Sequence, residues 1–323
     1  AYPVPEIVNG EITALNSDPR EDLFGHGTHV AGILTGSGAE SDDDFKGSAT
    51  SAKVLSLQVL DRNGGGSMSD VMAALDWLLV YGSYFDIRVV NLSLGKGISE
   101  SNTTDPLVIA VENLWDAGFA VVVAAGNEGN AGSMTITSPG NSRKVITVGS
   151  LTDNGTGADY TDDYVSSFSS TGPTIGDLVL KPDLVAPGNR IVATITSDAK
   201  LANKLPGRVK NCKESLCTSI YLEMSGTSMA TPLTSAAVAL MLEKDPTLSP
   251  ATVKARLMRS ARKIDSDAST AGAGVLDVEA ALGDTGVMTD EALSPLMVLD
   301  DSTGGVLVQD TALLWGDDQW GSG

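Results

Sequence analysis

Apolar residues along this chain fall into two rhythms that take turns. Short runs that are apolar on nearly every position, "KVLSLQVL" (53–60), "IRVVNLSLG" (87–95), "FAVVVAAGN" (119–127) and "KVITVGS" (144–150), read as strands. Between them lie longer stretches with helical spacing. "SDVMAALDWLLVYG" predicts a helix capped by Ser69 or Asp70. "TDPLVIAVENLWDAG" predicts one that starts at Asp105–Pro106 and stops at Gly118. Strands apolar on both faces, alternating with helices, predict an α/β fold: a three-layer arrangement around a mostly parallel twisted sheet, with helices on both faces. Ligands of such sheets bind at the carboxyl ends of the strands.

Past Ser150 the rhythm loosens. "DNGTGADYTDDYVSSFSSTGP" reads as loop, "NRIVATIT" as strand, and "SDAKLANKLPGRVKNCKESLC" as a polar, basic insertion before the short strand "SIYLEMS". Two helices follow, "SMATPLTSAAVALMLEK" and "SPATVKARLMRSARKI", then a short one in "GAGVLDVEAAL". From Gly283 the composition turns acidic and carries two "WG" pairs. These features predict a domain over residues 1–282 and an appended acidic tail over 283–323, flexible or added as an edge strand.

Composition narrows the function classes. The chain has 323 residues, 42% of them hydrophobic and 19% charged, enough apolar material for a sizeable core. Its net charge of −20 argues against a nucleic-acid partner, which needs a basic surface to displace counterions. No segment reaches the ~18 apolar residues that span a membrane. The start, "AYPVPEIVNG", has neither an initiating Met nor a leader pattern. That predicts a beginning inside a longer gene product or after processing. Two cysteines, Cys212 and Cys217, sit close enough to predict a small disulfide loop. With no third cysteine and both histidines far upstream, zinc is disfavoured there.

Candidate chemistry sits at strand ends and helix starts. "GTSMATP" places Ser228 before a run of small apolar residues. Ser228 is either part of a helix cap or a nucleophile at a helix N-terminus, where developing negative charge is stabilised. Pro232 suits a first helical turn. His26 and His29, the chain's two histidines, fall on one helical face in "GHGTHVAG". One of them suffices as a general base for a hydroxyl. The Asn127 amide can donate to an oxyanion, or simply serve a Gly-rich turn. Ser93, Leu94 and Gly95 end a strand, where extended backbone can pair with a peptide.

In order along the chain, "GHGTHVAG", "NLSLG", "AAGNEG", "KPDLVAPG" and "GTSMATP" resemble the boxes of the subtilisin-like serine proteases, the subtilases, from about Gly25 to Leu282. The resemblance implies a subtilisin-like fold and a secreted serine endopeptidase acting on polypeptides. It implies Ser228 as nucleophile, His26 as general base, His29 as structural, and Asn127 with the Ser228 N–H as oxyanion hole. It makes Ser93, Leu94 and Gly95 the substrate-pairing edge. Ala124, Ala125 and Gly126 become part of a wall of a roomy, mainly apolar P1 pocket, with Glu128 beside it to admit a basic side chain. No cofactor is implied for the chemistry. Structural calcium is, with "SDDDF" and "TDDY" as candidate donors, although neither has standard calcium-loop spacing.

The pattern breaks at the acid. The family's triad begins with an Asp in a "D-[ST]-G" strand-end box ahead of the His, and the 25 residues before His26 hold none. Asp18 and Asp22 are present as substitutes on a loop that looks too short. The expectation is a first strand and acid upstream of Ala1, in a truncated product or in a nicked chain whose partner segment or propeptide supplies them. The competing reading is a peptide-binding pseudoprotease without the acid. A serine hydrolase of another fold is disfavoured, since no "G-x-S-x-G" elbow surrounds Ser228. Leu233 and Thr234, at a position where many relatives carry His-Val, are expected to affect packing alone.

Overall fold

The computed structural model describes residues 6–8, 11–14, 21–157, 159–212, 219–299 and 306–309. They divide into two compact units, one formed by Ala1–Arg88 with Arg190–Met224, the other by Val89–Asn189 with Ser225–Gly323.

The first unit opens with a hairpin of β1 (Glu6–Val8) and β2 (Glu11–Ala14). Helix α1 (His26–Thr35) packs on β8 (Ile191–Thr196). Glycine permits the close approach: a Cβ on Gly32 would come within 2.9 Å of Thr194. Helix α2 (Met68–Tyr81) starts one position before the expected window, because Ser67 is its cap and accepts the Asp70 N–H at 3.1 Å. Asp70 returns the favour by accepting the Ser67 hydroxyl at 2.7 Å, so it closes the cap rather than forming it. β8 pairs antiparallel with β10 (Ser219–Met224), which pairs with β9 (Val209–Asn211). The expected insertion therefore contains α4 (Lys200–Lys204) and a strand of this small sheet. The strand predicted over 53–60 is not formed: no ladder runs through it among the described residues. Val54 is 49% exposed there. An apolar run and propensity supply only one side of a strand; with no laddered neighbour among the described residues, 53–60 forms none.

The second unit carries the parallel sheet. β3 (Val89–Leu92), β4 (Ala120–Ala124), β5 (Ile146–Thr152) and β7 (Leu184–Pro187) lie side by side in parallel. β6 (Tyr164–Val165) adds an antiparallel edge on β5. Every residue of β4 and β5 is buried, so both sheet faces are covered, as continuous apolar runs require. Helix α3 (Pro106–Asp116) begins with Asp105 accepting the Leu107 N–H at 2.9 Å and stops where Gly118 takes φ +98°. Helix α5 (Thr227–Lys244) runs across β3, β4, β5 and β7. Helix α6 (Pro250–Ser260) is capped by Ser249, and after the turn of α7 (Ala268–Ala271), α8 (Val278–Gly283) is capped by Asp277. The fold is α/β with a mostly parallel sheet.

No break in packing marks residue 283. Ser294 is buried and donates its hydroxyl to Asp183 at 2.5 Å. Leu180 N–H reaches the Pro295 carbonyl at 2.8 Å, ahead of a hairpin of β11 (Leu296–Leu299) and β12 (Val306–Gln309). Residues 300–305 and 310–323 of the expected tail lie outside the described residues.

Candidate active site

Ser228 is the second residue of α5, half-buried. A helix leaves its first N–H groups without intrahelical acceptors, so the Ser228 N–H is available to a ligand. Pro232 sits in the second turn rather than the first. Its missing N–H is the one that would have bonded the Ser228 carbonyl four residues back. That carbonyl instead accepts the Ser93 hydroxyl at 2.9 Å, and the Ser228 hydroxyl lies 3.2 Å from the Ser93 carbonyl. Asn91 donates to Ser93 Oγ at 3.1 Å and accepts from the Ser235 hydroxyl at 2.9 Å, tying β3 to the helix behind the serine.

Asn127 follows β4 and is exposed. Its Oδ1 accepts the Thr227 N–H at 2.9 Å and the Thr227 hydroxyl at 3.2 Å. A backbone N–H can only donate, so the oxygen of the carboxamide must face Thr227. The Nδ2 group is thereby left with its donors directed elsewhere. A Cβ on Gly226 would meet both amide atoms at 3.5 Å, which puts the amide against the entry to α5. Thr227, fully buried, is the orienting residue that sequence reasoning passed over. Its adjacency to the serine was the available signal.

Ser93, Leu94 and Gly95 lie just beyond the end of β3. Among the described residues, the main-chain N–H and C=O groups of Leu94 and Gly95 have no partner, and Gly95 is exposed. A Cβ at Gly95 would fall 2.6 Å from Thr137 Oγ1, so the strip lies flat on the neighbouring segment. The expected wall is more closed than its small side chains implied. Ala124 and Ala125 are buried, and the Ala125 carbonyl already accepts the Thr137 N–H at 3.0 Å. Gly126 is the one of the three with surface. It takes φ +113°, and a Cβ there would meet Ser170 Oγ at 2.7 Å. The Glu128 side chain is exposed, and its N–H donates to Ser170 Oγ at 3.1 Å.

His26 belongs to the first unit, where it opens α1 and is half-exposed. Burial pulls its pKa below the ordinary value, and the Asp22 carboxylate opposes that pull. Asp22 itself is committed to the helix start. Oδ1 accepts the Gly25 N–H at 2.8 Å, and Oδ2 accepts the Thr28 N–H at 2.8 Å and its hydroxyl at 2.9 Å. Burial pushes this carboxyl up, but those hydrogen bonds outweigh it and hold the pKa below the usual value. Asp22 thus acts on His26 through space. Asp18 lies outside the described residues. His29 has no exposed surface, and its Nε2–H donates to the Leu222 carbonyl at 2.7 Å. Burial pulls its pKa down to about 4, so it is a neutral strut between α1 and β10.

The acidic candidates for calcium do not converge. Asp163 of "TDDY" is paired with Arg262, and Asp162 accepts the Thr156 hydroxyl at 2.9 Å. Among the described residues no three His, Cys, Asp or Glu side chains are grouped to hold a metal ion. Cys212 is half-buried, and Cys217 lies outside the described residues. No helix among those residues is long and apolar enough to cross a membrane.

Residues 6–287 match the sequence model of the Subtilase family. The serine protease AprX of Bacillus subtilis (strain 168) is 39% identical over 289 residues, covering 86% of this chain and 63% of that protein. Subtilisin DY of Bacillus licheniformis is 32% identical over 277 residues, 85% of this chain and 84% of its own. An extracellular serine proteinase of Thermus sp. (strain Rt41A) is 35% identical over 238 residues, 74% of this chain and 46% of its own. The chain thus spans less than two thirds of AprX and about half of the Thermus enzyme. With a match covering most of its length and the serine, histidine and asparagine boxes on an α/β frame, the chain belongs to the subtilase family.

Proposed function

We propose that this chain is the peptidase portion of a secreted serine endopeptidase. Ser228 Oγ attacks the peptide carbonyl, and His26 takes its proton and later returns it to the leaving amine. The Asn127 Nδ2 group and the Ser228 N–H hold the oxyanion, donors set in place before the charge develops. The main chain at 93–95 pairs with the substrate backbone. The backbone of 124–126 borders the P1 side chain, with an apolar preference, and Glu128 stands where a basic P1 group would reach it. The observation that carries the reading is the turned carboxamide of Asn127, whose oxygen is held by the Thr227 N–H at 2.9 Å beside the helix start that bears Ser228.

The triad acid is assigned to sequence outside this chain. Supporting that, Asp22 spends both carboxylate oxygens on α1. The open segment 53–60 would gain a ladder from an added strand. Secretion is supported by the Thermus relative, whose name calls it extracellular. A Cys212–Cys217 bond suits an oxidising compartment, and thiol titration of the unfolded chain should then find no free thiol. No step is assigned to a metal.

Fluorophosphonate labelling, with the modified residue located by mass spectrometry, tests the reading. Labelling at Ser228 is expected in the full-length gene product and lost on Ser228→Ala. The 323-residue chain should label slower by up to about 10⁴-fold, a magnitude known from subtilisin itself when its acid is removed. If neither folded protein labels, the endopeptidase reading fails and a peptide-binding pseudoprotease replaces it.

A further inference from the structure

Lys96 follows the unpaired strip directly. Its N–H donates to the Ser138 carbonyl at 2.9 Å, and its carbonyl accepts the Ser138 N–H at 2.8 Å. Its ammonium reaches Asp105 Oδ2 at 2.8 Å. Asp105 has no exposed surface, and its other oxygen caps α3 through the Leu107 N–H. A buried carboxylate must be paired, and here the partner is the residue that ends the strip. The opposite end is held by the Ser93–Ser228 hydrogen bonds. The two residues between them keep free main-chain groups on a segment fixed at both ends.

We propose that Lys96 and Asp105 are positioning residues, which hold the main chain of Leu94 and Gly95 extended so that it pairs with the part of a peptide substrate on the acyl side of the scissile bond. The inference rests on the endopeptidase reading only for which peptide lies there. An unanchored strip would have to be ordered at each binding event, and anchoring removes that entropic cost beforehand. The benefit exists only for ligands long enough to reach the strip, so the signature is a dependence on peptide length.

The test uses the 323-residue chain carrying Ser228→Ala, and measures Kd by fluorescence anisotropy for peptides with one to four residues on the acyl side. Lys96→Met is combined with Asp105→Asn, which removes the charge pair without leaving a buried charge alone and retains a capping side chain for α3. The loss of affinity should grow with peptide length to about tenfold at four residues, the equivalent of one or two main-chain hydrogen bonds. Lys96→Arg with Asp105 intact, which keeps the ion pair, should retain most of the affinity. A loss equal at every length, no loss, or no peptide binding by the parent chain would overturn the proposal. Labelling of Ser228 is read separately on the full-length gene product and on the 323-residue chain, each with its serine intact, and counts as absent only where neither folded protein labels. Absent labelling with a length-dependent loss sinks the endopeptidase reading and leaves the positioning role standing.

Discussion

Burial separates the two histidines that the sequence placed three residues apart. His29 is fully buried on a backbone carbonyl, while His26 keeps surface and the field of Asp22. The difference has a measurable consequence. The folded pKa of His29 is near 4, against about 6.5 for an unfolded histidine. Between those values the unfolded chain binds the extra proton. Stability is therefore complete above pH ~6.5 and falls as pH drops toward 4, by up to about 3 kcal/mol. Urea unfolding at pH 7.5 and at pH 4.5 would show it. His26 is shifted in the same direction and contributes to the slope. His29→Gln, which keeps a donor for the Leu222 carbonyl, should flatten most of it. An unchanged slope in that variant would remove the assignment. The motif made both histidines legible and the resemblance implied a structural His29; what holds that ring, the Leu222 carbonyl 193 positions away, belongs to the fold.

At the scale of elements, caps decide where helices start and what lies beside the start. Asp22 caps α1 from outside the helix and at the same time lifts the pKa of the first residue in it. Asp22→Ala should cost about 0.5–2 kcal/mol, the usual worth of an N-terminal cap. It should also lower the His26 pKa, because the remaining influence is burial. NMR titration of the His26 ring reads the second effect, and a pKa that rises or stays put would contradict it. For α3 the sequence spelled out both ends, with Asp105 and Pro106 at its start and Gly118 past its end. For α2 the sequence offered Ser69 and Asp70, and the fold set the cap at Ser67 instead. Pro232 in α5 marks the opposite limit. Its sequence position suggested a tolerated first-turn proline, while its place in the second turn frees the Ser228 carbonyl for Ser93.

For the molecule as a whole, described residues on either side of the boundary expected after Leu282 meet at one buried site. Asp183 lies buried among Lys181 at 2.7 Å, Lys254 at 3.4 Å and the Ser294 hydroxyl. Lys254 also donates to Ser294 Oγ at 2.8 Å. Burial pulls the Lys254 pKa down to about 7, against the opposing pull of Asp183. Such a cluster is stable only when every member is satisfied. A chain ending at Leu282 removes Ser294, which takes one hydrogen-bond partner from Asp183 and one from Lys254. Its unfolding free energy should fall by at least about 3 kcal/mol relative to the 323-residue chain. Equal urea midpoints for the two would restore the reading of a dispensable tail. Acidity and the "WG" pairs described the composition of 283–323; they carried no sign that one serine in it donates a hydrogen bond to a buried carboxylate 111 positions earlier.

Local sequence carried the period of most elements, both ends of α3 and the family. Those depend on neighbours within a few residues, and the boxes that carry chemistry are themselves local. It identified Ser228, His26 and Asn127 as the residues to examine. The tertiary structure decided what those local signals could not contain. A strand exists only with a partner, so 53–60 forms no ladder among the described residues although its apolar run read as a strand. An amide acquires a direction only from what touches it, so Asn127 became a donor once Thr227 held its oxygen. A buried charge persists only beside its counterpart, so Asp105 and Asp183 gain meaning from Lys96, Lys181 and Lys254. Burial, pairing and orientation are relations between distant positions, and the folded chain alone brings those positions together.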